Sequence, residues 1–314
     1  MKKILRLLTW GMWIITAAHV INTLIFKFAR KNSVESDADQ VYESHNGKIR
    51  YLIKGEGKPL LLLHGIYQGA SILEWKNSIE ALSKKYKVYA VDLLGFGASE
   101  KPKMSYSAYL YVSLINSFIE DVIAEKVLVC ANSHSAAFAV SAQSFKPENF
   151  EKLLLINPTG LGSTDVYSRP SDFYLKTIAN MPIIGTFHYL METSYIGLQF
   201  FLESECFSED CEVNDETLEK MHYFAHKGGS NAKYPVASLW SRYLNVSSEA
   251  KLAKIDIPVY VIWGTDCITN SIKNTEILKE IRPDIEISKY EGAKLLPHIE
   301  EHERFEAECE KFFG

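Results

Sequence analysis

Cysteine is scarce in this chain, with five in 314 residues (Cys130, Cys206, Cys211, Cys267 and Cys309), scattered and without a C-x-x-C pair. A disulfide scaffold is excluded, and a structural zinc site has no ligand set, so no metal is expected. A basic excess is also missing. Lys and Arg number 34 against 39 Asp and Glu, a formal charge of −5, which leaves nothing to neutralise a phosphate backbone and excludes nucleic acid as a partner. There is no Walker loop, and Gly95-Phe96-Gly97 lacks a third glycine at dinucleotide spacing, so no cofactor is expected. No repeat period or low-complexity tract is visible, which removes solenoids and propellers. What remains is a composition of 47% hydrophobic and 23% charged residues, suited to a globular chain with a sizeable core.

The N-terminus carries twenty residues without Asp, Glu, Lys or Arg, from Leu7 to Phe26 (LLTWGMWIITAAHVINTLIF). As a helix they match a hydrocarbon thickness of roughly 30 Å, and the first expectation is a single-pass membrane anchor over residues 1–40, with Asn32–Gln40 as its polar tether. The alternative is a secreted protein whose signal peptide is cleaved near Thr16-Ala17-Ala18. Basic residues flank the segment on both sides, so its topology stays open.

From Val41 onward, short Val-, Ile- and Leu-rich runs alternate with amphipathic stretches, which predicts a mostly parallel sheet flanked by helices. Strands are expected at Lys48–Lys54, Pro59–Leu63, Lys87–Val91, Lys126–Cys130, Lys152–Ile156, Pro258–Trp263 and Ile285–Tyr290. Helices are expected at Leu73–Lys84, Tyr106–Ala124, Ala136–Phe145, Ser271–Ile281 and Pro297–Phe313. Residues 159–250 break the rhythm with aromatic-rich helical segments and no strand, and are read as a helical cap inserted into a core formed by 41–158 and 251–314. Phe173, Tyr174, Met181, Phe187, Tyr189, Phe200 and Phe201 would line an apolar acyl pocket there. Cys206 and Cys211 in the cap are free thiols, or a small-loop disulfide if the domain faces an oxidising space.

Ser133 stands where the run KVLVC ends and a helix begins, among the small residues Ala131, Ser135, Ala136 and Ala137. A nucleophile on a sharp strand-to-helix turn needs small neighbours; a helix N-cap serine is the plainer alternative. Upstream, Leu63-His64-Gly65-Ile66 follows a buried strand, so the Ile66 and His134 N–H groups are candidate oxyanion donors. Asp92-Leu93-Leu94-Gly95-Phe96-Gly97-Ala98-Ser99 reads as a structural turn.

In order and placement, HGIYQGASILEW, DLLGFGASEKP and ANSHS resemble the oxyanion loop, the following loop and the nucleophile elbow of the α/β-hydrolase superfamily, in its capped esterase, lipase and epoxide-hydrolase-like branch. The resemblance covers about Val41 to Gly314 and implies an α/β-hydrolase fold. It also implies a serine hydrolase acting on a hydrophobic carboxylic ester, with Ser133 as nucleophile. The acid would be Asp266 in Gly264-Thr265-Asp266, one residue closer to its glycine than the family usually spaces it. The family motif Gly-His-x-Pro-His-x-Glu reads Lys294-Leu295-Leu296-Pro297-His298-Ile299-Glu300 here, so Leu295 occupies the base position. His298 is the substitute base, and a catalytically silent binding protein is the competing reading.

Overall fold

The computed structural model describes residues 2–29, 34, 36–162, 169–211 and 213–314. One sheet of eight strands organises the chain in the spatial order β1-β2-β4-β3-β5-β6-β7-β8. The strands are β1 (Gln40–Ser44), β2 (Gly47–Lys54), β3 (Lys58–Leu63), β4 (Tyr86–Asp92), β5 (Val127–Asn132), β6 (Phe150–Ile156), β7 (Val259–Gly264) and β8 (Glu286–Tyr290). β1 and β2 pair antiparallel and β2 joins β4 antiparallel; every pairing from β4 to β8 is parallel. The seven strands expected from sequence are all present, and β1 is an additional one. Its side chains alternate between exposed and half-buried on the sheet edge, so QVYES lacks the apolar run that marks the interior strands.

The interior strands β3, β5 and β7 are almost wholly buried because helices cover both faces. α3 (Ala108–Phe118), α4 (His134–Phe145), α10 (Glu249–Leu252) and α11 (Asn274–Ile281) follow the parallel strands, with α2 (Lys76–Leu82), α12 (Pro297–Glu300) and α13 (His302–Phe313) completing the layers. Chain order reverses between β3 and β5, whose carboxyl ends therefore open a crevice with no crossing connection above it. That crevice places the site. Between β6 and β7 lie α5 (Pro170–Asn180), α6 (Ile184–Glu192), α7 (Tyr195–Phe201), α8 (Asp215–His226) and α9 (Lys233–Trp240), with no strand among the described residues.

The N-terminal segment folds as one helix, α1 (Lys2–Ala29). The expected membrane-spanning anchor is corrected: among the described residues no helix is long and apolar enough to cross a membrane. Thr9, Thr16, His19, Asn22 and Thr23 interrupt the apolar run. The helix instead turns Asn22 and Phe26 inward, with the Phe26 ring 6.4 Å from Tyr189 and 5.5 Å from His226. Arg30, Lys31, and Asn32, Ser33 and Glu35 of the expected tether lie outside the described residues.

The acyl-pocket expectation for the cap is also corrected. Phe173, Tyr174, Met181, Phe187 and Phe200 face outward; only Tyr189 is buried, and Phe201 is half-buried against Tyr67, with ring centres 5.7 Å apart. α5 buries Asp172 and Lys176, α6 buries Gly185 and Thr186 beside Tyr189 and Leu190, and α7 buries Leu198, while most of their aromatic residues stay outside.

Candidate active site

β5 ends at Asn132 and α4 begins at His134, so Ser133 alone makes the turn between them, at φ +54° and ψ −120°. A residue with a Cβ costs about 1–3 kcal/mol in such a conformation, and tertiary structure must over-determine it. It does: the Ser133 N–H donates to the Ile156 carbonyl (2.9 Å), the Ser133 carbonyl accepts from Ala136 (3.1 Å), and Ser135 Oγ donates to the His64 carbonyl (2.6 Å). The Ser133 side chain makes no cap hydrogen bond to α4, so the plain N-cap alternative is not what the turn serves. No described residue accepts a hydrogen bond from the Ile66 or His134 N–H group.

The loops around Ser133 are fixed by buried polar contacts. His64 is fully buried, its Nε2 accepting from the Leu93 N–H (3.0 Å) and its Nδ1 lying 2.6 Å from the Gly65 carbonyl oxygen, so it is committed to holding the loop. Asp92 accepts from the Ile72 and Ala98 N–H groups, both at 2.7 Å, which makes its turn a structural one. Gly97, at φ +47°, has no room for a side chain there, since a Cβ would come 2.2 Å from the Asp92 carboxylate.

Among the described residues no hydrogen bond or ion pair links Ser133, Asp266 and His298, the three residues assigned to the relay. Asp266 is exposed; its carboxylate takes the Thr265 hydroxyl (3.1 Å) and its N–H donates to the Ala293 carbonyl (3.0 Å). His298 is buried at the start of α12, its ring centre 4.6 Å from that of Trp75 and tilted by 36°, with Nε2 at an ion-pair distance of 3.3 Å from Glu74 Oε1. Pro297 starts the helix and fixes that direction. Leu295, at the base position, is buried, and the Asn157 amide donates to both the Lys294 (2.9 Å) and Leu295 (3.0 Å) carbonyls while accepting from the Gly264 N–H (2.9 Å). Cys267, one residue beyond Asp266 and so at the family's glycine-to-acid spacing, is buried too, and burial pushes its thiol up to about 11. Both relay positions are therefore filled by apolar or neutral groups in one core.

Glu74 is the polar residue that sequence reasoning missed. It is fully buried and gathers the Gly65 N–H (2.9 Å), the Tyr67 hydroxyl (2.7 Å), the Asn132 amide (3.0 Å) and His298. Burial alone would raise its carboxyl, but His298, His64 and the Tyr67 hydroxyl together hold it below the ordinary carboxylate range. Its only sequence signal was an acidic residue beside Trp75 inside an otherwise apolar stretch. The i,i+4 histidines His222 and His226 were also passed over; their rings lie 4.3 Å apart, and among the described residues no group of three His, Cys, Asp or Glu side chains is placed to hold a metal. Cys206 and Cys211 are free thiols, the first buried and the second half-buried.

His134 projects beside a cavity of about 370 Å³ that Arg169, Arg242 and Asn245 also line, with its Nε2 3.3 Å from Asn245 Oδ1. Burial lowers the His134 imidazole to about 4, and burial also lowers His222 to about 4. The folded state thus keeps both neutral where the unfolded chain charges them below about pH 6.5, so the unfolded state takes up protons as pH falls from 6.5 towards 4. Stability is expected to fall over that window, and His134→Gln to flatten the fall, as read from urea midpoints at pH 7 and pH 5.

The chain belongs to the alpha/beta hydrolase fold family, whose profile matches residues 58–301. A 2-hydroxy-6-oxo-6-(2'-aminophenyl)hexa-2,4-dienoic acid hydrolase from Metapseudomonas resinovorans is 34% identical over 116 residues, which is 36% of this chain and 40% of that relative. The crystal structure of a serine hydrolase involved in carbazole degradation superposes with a TM-score of 0.73 at 20% identity, covering 87% of this chain and 97% of that one. A bacterial membrane phospholipase A superposes with a TM-score of 0.71 at 20% identity, covering 100% of this chain and 98% of the other. At that identity the two structures speak for the fold alone.

Proposed function

We propose that this protein is a slow serine hydrolase of a hydrophobic carboxylic ester, with Ser133 as nucleophile and the Ile66 and His134 N–H groups as oxyanion donors. The observation that supports it most is the strained Ser133 turn, which a residue used only for packing would not need. The reaction class is acyl transfer: Ser133 Oγ bonds to the carbonyl carbon as the C–O bond to the alcohol breaks, the hydroxyl proton passing to the departing alkoxide oxygen, and water then hydrolyses the acyl-serine to release the acid and restore the hydroxyl. Without a relay, the residual advantage over water comes from the oxyanion donors and positioning, on the order of 10³-fold. A second reading, binding without turnover, draws on Leu295 and on His298 facing Glu74.

A fluorophosphonate separates the two readings, since its phosphoryl oxygen engages oxyanion donors and its phosphorus is attacked by a serine held beside them, slowly where no base assists. Slow labelling of the folded wild type, abolished in Ser133→Ala and retained in His298→Ala, is the expected result. Loss of labelling in His298→Ala with the fold intact would return the base role to His298. No labelling at all would leave the binding reading.

The substrate's hydrophobic character is inferred from the outer surface. Trp10, Trp13 and Phe28 of α1 and Ile184, Phe187, Ile196 and Phe200 of the cap are all exposed. A surface of this kind suits a lipid layer on which α1 and the cap would lie, and supports the reading of a protein that rests on a membrane surface without spanning it. Co-sedimentation of the full chain with lipid vesicles is expected, and Trp10→Ser with Trp13→Ser is expected to lower the pelleted fraction several-fold; equal pelleting of the two proteins would remove the membrane reading.

A further inference from the structure

Between α1 and the cap lies a cavity of about 250 Å³, away from Ser133. Lys233 lines it and is only 2% exposed, although its ammonium has no ion-pair partner among the described residues. Its Nζ donates to the Met181 carbonyl (2.7 Å) and to Thr186 Oγ1 (2.8 Å), which satisfies hydrogen bonds but leaves the charge uncompensated. Lys103 stands on the same cavity, its Nζ 5.9 Å from the Tyr234 ring centre, with the Lys233 Nζ 5.5 Å from it. No carboxylate is among the lining residues, whereas Thr23, Thr186 and Ser230 bring hydroxyls from three different elements. Burial and the Lys103 charge depress the Lys233 ammonium to about 8.

A buried cation is retained against its desolvation cost where something pairs with it, and here the protein supplies nothing negative. Two separate ammonium point charges and hydroxyls from several directions suit a compact anion with several oxygens better than a planar carboxylate. We propose that the cavity between α1 and the cap binds a phosphate group, seated between Lys103 and Lys233 and hydrogen-bonded by the surrounding hydroxyls. The phosphate is either free or the headgroup of a lipid. Bound there it ties α1 to the cap, because Thr23 belongs to one and Thr186 and Lys233 to the other.

The test uses the full chain and two probes, and neither readout depends on ester hydrolysis. Inorganic phosphate, titrated at constant ionic strength against chloride, is expected to raise the melting temperature of the wild type by mass action. Lys103 is exposed, so Lys103→Gln keeps the fold, and it is expected to weaken the apparent phosphate affinity about tenfold. Lys85→Gln, on a surface ion pair with Glu310, is the control and leaves the response unchanged. Phosphatidylglycerol vesicles then identify the source: lower vesicle recovery of Lys103→Gln than of wild type assigns a lipid headgroup, and equal recovery assigns free phosphate. The proposal is overturned if phosphate shifts the wild type no more than chloride does, or if Lys103→Gln responds as the wild type does.

Discussion

Replacing Leu295 by histidine is expected to raise hydrolysis of a p-nitrophenyl acyl ester by about 10- to 100-fold, and adding Cys267→Asp to bring the total to on the order of 10³-fold. Leu295 occupies the family's base position and Cys267 the usual spacing of its acid, and the two loops are already held in contact by Asn157 and by the Asp266–Ala293 hydrogen bond. Ser133 already adopts the elbow conformation, so what the variant adds is proton transfer: an imidazole to take the hydroxyl proton and a carboxylate to orient it. Both substitutions put polar groups where the wild type is apolar and cost roughly 2–4 kcal/mol of stability, so rates must be compared per folded molecule. An unchanged rate in a double variant that circular dichroism reports as folded would mean that the two loops do not aim these positions at Ser133, and the relay argument would fail.

The sheet was legible from sequence because interior parallel strands are buried on both faces and read as continuous Val, Ile and Leu runs, as LLLL and VLVC do here. β1 escaped because an edge strand needs no such run. The Ser133 turn was legible for a steric reason, since the small residues around it are a condition of the backbone conformation. The partners of His298 were not legible. Which group a buried histidine faces depends on elements far apart in sequence, here the segment at Ile72–Trp75 and α12, and no local pattern encodes their approach. The cap's aromatics misled for a related reason: helical periodicity identifies an apolar face but not whether that face meets protein or lies open.

Glu74→Ala is expected to be the most damaging single substitution near the site, lowering stability by about 3–5 kcal/mol, read as a drop in the urea midpoint at unchanged slope. Removing the carboxylate orphans three buried donors at once, the Gly65 N–H, the Tyr67 hydroxyl and the Asn132 amide, and takes away the charge that faces the His298 imidazole. The same groups connect the oxyanion loop, the end of β5 next to Ser133, and α12, so fluorophosphonate labelling of the fraction that stays folded is expected to fall as well. Glu74→Gln retains an acceptor oxygen for the N–H and hydroxyl donors but loses the charge facing His298, and should sit between wild type and alanine. Because the folded carboxyl lies below its ordinary value, its stabilising contribution is present above about pH 4.5 and is lost as pH falls through the folded value. The wild-type advantage over Glu74→Gln is therefore expected to be full at pH 7 and to shrink below pH 4.5. A gap that stayed constant down to pH 3 would show that shape, and not the charge on Glu74, holds the loop beneath Ser133.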